Sequence, residues 1–127
     1  MDPLIISGTE DTPEVIFNKK EGTFQINGRS LPEDVIEFYA PVFSWLEQYV
    51  ANPNEETKFK VKIDYFNSAS QRAINEIFNI LTRINLKGKK VFVEWYFYQD
   101  DDEMREAGQE YAEITNLNFQ YISYVPE

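Results

Sequence analysis

The chain has 127 residues, a formal net charge of −10, and neither cysteine nor histidine. This length suits one domain with a hydrophobic core. The missing residue types exclude disulfides, thiolate chemistry and a Ser-His-Asp triad, so we expect no enzyme activity. The acidic balance argues against nucleic acid and anionic membranes as partners. Because there is no 18-residue apolar run and no basic leader after Met1, we expect a cytoplasmic protein.

The N-terminal segment is predicted to form strands. Leu4–Ile6 is a short apolar run, and two further runs cover residues 15–17 and 23–26. Residues 18–22 between them are polar and end in glycine, which is typical of a hairpin loop. The segment therefore predicts a short strand followed by an antiparallel hairpin.

The first helix is predicted to begin at Ser30-Leu31-Pro32-Glu33, where serine, proline and glutamate stand at the spacing of a helix start. Pro41 lies inside the helix and is expected to kink it. Asn52-Pro53-Asn54 is expected to end it. A wide apolar face follows the helical period, formed by Val35, Ile36, Tyr39, Val42, Phe43, Leu46, Tyr49 and Val50.

From Phe59 the spacing of apolar residues changes from the helical period to a period of two. Phe59, Val61, Ile63 and Tyr65 alternate with Lys58, Lys60, Lys62 and Asp64. Such alternation indicates a strand with one buried and one wet face, and the lysines are expected to be solvated.

Two serines stand where this strand pattern changes to a helical one, in Asn67-Ser68-Ala69-Ser70. Serine is a preferred N-cap, and counting Ser68 as the cap places Gln71 three positions on, as in an S-x-x-Q capping box. A phosphate on the same hydroxyl would meet free N–H groups at the positive end of the helix dipole. The junction therefore predicts two compatible roles for Ser68, as a cap and as a modification site.

The rest of the chain keeps alternating between helix and strand. The second helix is expected to end at Lys87-Gly88. Residues 91–98, "VFVEWYFY", are apolar on nearly both faces, as in a strand covered on both sides or facing a partner on one. Residues 100–103 are acidic, fail to match a calcium loop, and suit a third helix start. Residues 119–125 form the last predicted strand.

This order predicts an α/β fold in one domain over residues 1–127, with helices packed on a mixed sheet. The sheet should combine the N-terminal antiparallel hairpin with parallel βαβ crossovers. In particular, strands at about 57–66 and 90–98 should be parallel neighbours joined by the helix after Ser68.

The element order resembles the STAS fold of anti-sigma-factor antagonists, in which a phosphorylatable Ser or Thr lies where a strand meets a helix. The chain is more similar to the SiaC family of bacterial regulatory phosphoproteins, over nearly its whole length. The similarity is carried by "ISGTEDTPEV", "FSWLEQYV", "YFNSASQRAINEIFNIL" and a V-x-V-x-W-x-Y pattern at Val91, Val93, Trp95 and Phe97, where phenylalanine replaces the tyrosine.

The resemblance implies a switch without catalysis or cofactor. Family members resemble substrates of a dedicated protein kinase and a PP2C-type phosphatase. The unphosphorylated namesake binds and activates a diguanylate cyclase, which favours biofilm through cyclic di-GMP. The modified position falls on Ser68, where the family typically has Thr in an "L-N-T-S-S" context. We therefore predict phosphorylation at Ser68 and a partner-binding rim of Asn67, Ala69 and Ser70, with Tyr65 and Phe66 beneath.

Two other functions stay open at this point. A small-ligand-binding domain would use a pocket beside the aromatic strand, lined by Trp95, Tyr96 and Phe97. An enzyme could use carboxylates such as Asp64 and Glu94, although these stand at no diagnostic spacing.

Overall fold

The computed structural model describes residues 1–125. One six-stranded sheet carries its strands in chain order, with antiparallel pairing up to β3 and parallel pairing from β3 onward. The elements are β1 (Leu4–Ile6), β2 (Glu14–Asn18), β3 (Thr23–Ser30), α1 (Val35–Ala51), β4 (Glu56–Phe66), α2 (Ser68–Leu86), β5 (Lys90–Tyr98), α3 (Asp102–Thr115) and β6 (Asn118–Tyr124).

The predicted α/β architecture is confirmed. The hairpin of β2 and β3 is antiparallel, and β4 and β5 are parallel neighbours in the register Glu56↔Lys90 to Val61↔Trp95. The helix that connects them begins at Ser68. The alternation in β4 also holds, because Phe59, Val61 and Ile63 are buried.

All three helices pack on one face of the sheet. Phe17 and Phe24 lie against Trp45 of α1, with ring centroids 5.2 and 6.0 Å apart. Trp95 of β5 contacts Phe78 of α2 and Tyr111 of α3 on the same face. Because the parallel strands follow one another in chain order, successive crossovers of one hand deliver every helix to the same side.

The opposite face, which we call the open face, carries no helix among residues 1–125. Aromatic residues of β5 and β6 line it beside the lysines of β4. The Lys60 Nζ lies 4.9 Å from the Tyr96 ring centroid, and the Lys62 Nζ lies 4.6 Å from that of Tyr124. The alternative that β5 is covered on both sides is therefore wrong, and a partner on the open face stays a prediction.

The predicted start of α1 is wrong. Ser30 is the last residue of β3 and is fully buried, and the helix is capped by Asp34, whose carboxylate accepts a hydrogen bond from the Glu37 N–H. Residues 31–33 connect the end of β3 to the cap of α1. Ile36, which was placed on the buried face, is 79% exposed. Within residues 1–125, no helix has the length and apolar character to cross a membrane.

Candidate functional site

The junction between β4 and α2 is capped by asparagine. Asn67 has an extended backbone, with φ −83° and ψ 176°, and its Oδ1 accepts a hydrogen bond from the Ser70 N–H at 2.9 Å. Ser68 is therefore the first helical residue, and the predicted capping box with Gln71 is wrong. Asn and Ser are about equally good caps, so the choice depends on where β4 ends. The Asn67 N–H still bonds to the Ser30 carbonyl of β3, at 3.3 Å, which keeps this residue in the strand conformation.

The two serines of the junction have different surroundings. Ser68 is exposed, and its hydroxyl makes no hydrogen bond to residues 1–125. Ser70 is fully buried, which corrects its predicted place on the contact rim. Only the first of the two hydroxyls is therefore open to a modifying enzyme.

Ser70 belongs to a buried chain of hydroxyl groups beneath the junction. The Ser70 hydroxyl donates to the Ser30 carbonyl at 2.9 Å and accepts from the Ser30 hydroxyl at 2.8 Å. The Ser30 Oγ lies 2.6 Å from the Tyr39 hydroxyl of α1, which is then the donor. Burial raises the pKa of Tyr39 to about 12, and the hydrogen bond with Ser30 opposes part of that rise. This series of hydroxyl groups links the C-terminal end of β3 to the N-terminal parts of α1 and α2.

The residues of the predicted rim have different degrees of burial. Asn67 and Ala69 flank Ser68 and are half-buried, and Phe66 packs beneath them against the core. Tyr65, predicted to lie beneath, is instead 51% exposed, with the Arg29 guanidinium 5.8 Å from its ring centroid.

Sequence reasoning missed a shallow groove between α1 and the start of α2, which includes Ala69, the residue after Ser68. Its volume is about 260 Å³, and it is lined by Val35, Ile36, Phe43, Ala69, Arg72, Ala73 and Glu76. No signal in the sequence marks this groove, because adjacent apolar residues in these helices, such as Tyr49-Val50 and Ile77-Phe78, can both be buried. Exposed Ile36 and half-buried Ala69 both line this apolar surface, and Ala69 directly follows Ser68 in the chain.

The start of α2 differs electrostatically from the other helix starts. Its first turn holds no acidic residue and its cap is a neutral asparagine. By contrast, α1 has Asp34 as its cap and Glu37 in its first turn, and α3 has an aspartate cap and two acidic residues. The positive end of the α2 dipole is therefore not neutralised by a carboxylate. Arg72, one turn along α2, makes no ion pair within residues 1–125.

The other sequence-based sites are not assembled as predicted. Trp95 is buried against the helices, whereas Tyr96 faces the open side, so the two cannot line one pocket. A depression of about 680 Å³ on the open face includes Tyr98 and Asp64. Glu94 lies on the same face but does not line that depression.

Comparison with known proteins places the chain in a family. A family model described as SiaC family regulatory phosphoprotein matches residues 6–124. The chain belongs to the SiaC family. A curated relative, an uncharacterised protein of Pseudomonas aeruginosa strain UCBPP-PA14, is 25% identical over 119 residues, which cover 94% of each chain.

Solved structures of SiaC share this fold. SiaC of Pseudomonas aeruginosa superposes with a TM-score of 0.88 at 24% identity, covering 98% of this chain and 100% of that one. A second structure contains the diguanylate cyclase SiaD in complex with its activator SiaC, and matches with a TM-score of 0.89 at 24% identity, covering 95% of this chain and 99% of that one. The six-stranded sheet with helices on one face is therefore an architecture shared with SiaC.

Proposed function

We propose that this SiaC-family protein is a non-catalytic cytoplasmic regulator that binds a diguanylate cyclase when Ser68 is unmodified and releases it when Ser68 is phosphorylated. The observation that carries the proposal is the exposed hydroxyl of Ser68 on the first residue of α2, in a chain of a regulatory phosphoprotein family. The partner class is taken from the solved complex of SiaC with the cyclase SiaD. Control of cyclic di-GMP, and through it of biofilm, follows from that partner.

The start of α2 can carry a phosphate without loss of the fold. A phosphate adds about −1.5 to −2 charges at neutral pH. Here it would meet the positive end of a helix dipole, worth about 0.3–1 kcal/mol in favour of an anion at an exposed site. The cap would persist, because Asn67 and not Ser68 supplies it. Phosphorylation should therefore change binding without unfolding the protein.

The same charge opposes an interface. Ser68 adjoins Asn67 and Ala69, and the exposed side chain of Ile36 lines the same groove as Ala69. A partner that covers this mainly apolar surface has to desolvate whatever Ser68 carries. Desolvation of a neutral hydroxyl costs little free energy, whereas desolvation of an unpaired phosphate costs several kcal/mol. We assign the partner contact to Asn67, Ser68 and Ala69, with Phe66 supporting them from below.

A protein kinase and a PP2C-type phosphatase complete the proposed switch. Serine in place of the usual threonine keeps the hydroxyl, and its exposure leaves it open to both enzymes. Ser70, two residues on, has no exposed surface and donates its proton inside the fold. The kinase should therefore modify one site at this junction.

The test is to incubate the protein with candidate protein kinases of the same organism and to map the modified residue by mass spectrometry. One phosphate on Ser68 is expected, and its absence from Ser68→Ala confirms the position. Binding to the cyclase is then compared for Ser68→Asp and for Asn79→Asp. The second variant adds the same charge at an exposed position about 16 Å further along α2.

We expect Ser68→Asp to weaken binding and Asn79→Asp to leave it unchanged. The proposal fails if phosphate is found only at other residues, or if the two aspartate variants bind alike.

A further inference from the structure

The outer edge of β6 is an unpaired strand edge. β6 is the last strand of the sheet, pairs with β5 on its inner side, and has no neighbour on its outer side within residues 1–125. It is seven residues long, Asn118–Tyr124. An unpaired edge of this length offers a row of main-chain donors and acceptors to another strand.

The direction of the free main-chain groups follows from one hydrogen bond. The Gln99 N–H donates to the Tyr124 carbonyl at 2.9 Å, so the main-chain groups of Tyr124 point toward β5. Because the N–H and C=O of one strand residue point to the same side and alternate along the strand, those of Phe119, Tyr121 and Ser123 point outward. These three residues therefore have both main-chain groups available.

This edge lacks the usual protection against strand pairing. Charged residues make up 27% of the chain, yet "NFQYISY" contains no charge, proline or glycine. Edge strands are normally protected by lysine, proline, a bulge or short length. The opposite edge fits that rule, because β1 has three residues and directly follows Pro3. An unprotected edge in a highly charged protein indicates a contact surface.

We propose that the occupant of this edge is a second copy of the same chain, paired antiparallel through β6 about a two-fold axis at Tyr121. In that register Tyr121 faces its own copy, Phe119 faces Ser123, and Gln120 faces Ile122. In this register each residue whose main-chain groups point outward lies opposite another such residue of the second chain. These opposite residues can therefore form hydrogen-bonded pairs, as an antiparallel ladder requires. Every cross-strand pair is neutral, and the central pair is aromatic, which is favourable in a sheet.

Electrostatics makes this dimer weak and salt-dependent. Each chain carries a net charge of −10, but no charge lies on the strand that forms the contact. Repulsion therefore acts across the acidic remainder of each chain, and salt screens it over about 8 Å at physiological ionic strength. A contact of one strand per chain is small compared with the ~20–30 residues per side of a stable interface. We expect a reversible dimer that is favoured by high protein concentration and strengthened by salt.

The test is sedimentation equilibrium of the full chain over a wide concentration range, at low and at high salt. Ser123→Pro removes an outward N–H and places a ring in the contact, while leaving the inward pairing with β5 intact. Ser123→Ala is the matched control, because it keeps the N–H. Tyr121→Lys places two like charges together at the axis, and circular dichroism confirms that each variant is folded.

The wild type and Ser123→Ala should approach twice the monomer mass, more readily at high salt, and Ser123→Pro and Tyr121→Lys should stay monomeric. The proposal is overturned if the wild type stays monomeric at every concentration, if Ser123→Pro dimerises as well as Ser123→Ala, or if the edge binds only a strand of another protein.

Discussion

Replacement of Asn67 should destabilise the fold more than replacement of Ser68. The Asn67 Oδ1 accepts the Ser70 N–H at 2.9 Å, whereas the Ser68 hydroxyl makes no hydrogen bond within residues 1–125. Loss of an N-cap side chain costs about 1 kcal/mol, within a range of about 0.5–2. Removal of an exposed, unbonded hydroxyl usually changes stability by less than about 0.5 kcal/mol. We therefore expect Asn67→Ala to be about 1 kcal/mol less stable than Ser68→Ala.

Urea unfolding followed by circular dichroism measures this difference. The midpoint should fall for Asn67→Ala with an unchanged slope, and the Tm should fall by about 3–6 °C for a domain of this size. Asn67→Asp is the control, because aspartate keeps the capping oxygen and should be close to wild type. If Ser68→Ala costs as much as Asn67→Ala, Ser68 contributes to the cap and the separation of cap from switch is wrong.

Three further changes test buried packing and buried hydrogen bonds. Ser70→Ala should cost about 1–3 kcal/mol in urea unfolding, because the buried Ser30 hydroxyl loses its acceptor. Gly108→Ala should cost about 1–3 kcal/mol and shift tryptophan fluorescence, since a Cβ there would lie 2.5 Å from the buried Trp95 ring. The pKa of Tyr39 in the folded state is raised from 10.0 to about 12. The contribution of its neutral form to folding stability is therefore complete below pH 10 and is lost as the pH rises toward 12. Between pH 10 and 12 the free energy of unfolding should fall less steeply with pH for Tyr39→Phe than for the wild type. Equal slopes for the two proteins would contradict this role of Tyr39.

The central β4–α2–β5 unit could be predicted because its signals are local. Phe59, Val61 and Ile63 alternate with lysines, and the helical period starts directly after the strand. Both patterns arise from backbone geometry alone, at two and 3.6 residues per repeat. A single helix between two strong strands then allows one common crossover hand. The parallel pairing of β4 and β5 follows without knowledge of any distant contact.

The details of the site depend on contacts that are distant in the chain. Asn67 and Ser68 have similar capping preferences, and the choice between them is made by the hydrogen bond of the Asn67 N–H to Ser30, 37 positions earlier. Ser70 is buried because Ser30 and Tyr39 supply its hydrogen-bonding surroundings from other elements. No periodicity reports such pairings, so the two serines of the junction look equivalent in the sequence.

The start of α1 shows how a good local signal can be overridden. Ser30, Pro32 and Glu33 match a helix start, yet Ser30 stays in β3 opposite Phe66. Pairing with β4 and the buried hydroxyl chain outweigh a cap of about 1 kcal/mol, and Asp34 caps the helix instead. Ile36, near the start of this helix, is exposed and lines the groove that Ala69 also lines.

The most direct test of the switch is the affinity of one diguanylate cyclase for two forms of the protein, unmodified and enzymatically phosphorylated on Ser68. Titration calorimetry on both forms, with circular dichroism to confirm equal folding, separates binding from stability. The unmodified form should bind, and the phosphorylated form should bind at least tenfold more weakly, which corresponds to about 1.4 kcal/mol. Equal affinity of the two folded forms would contradict a switch at Ser68.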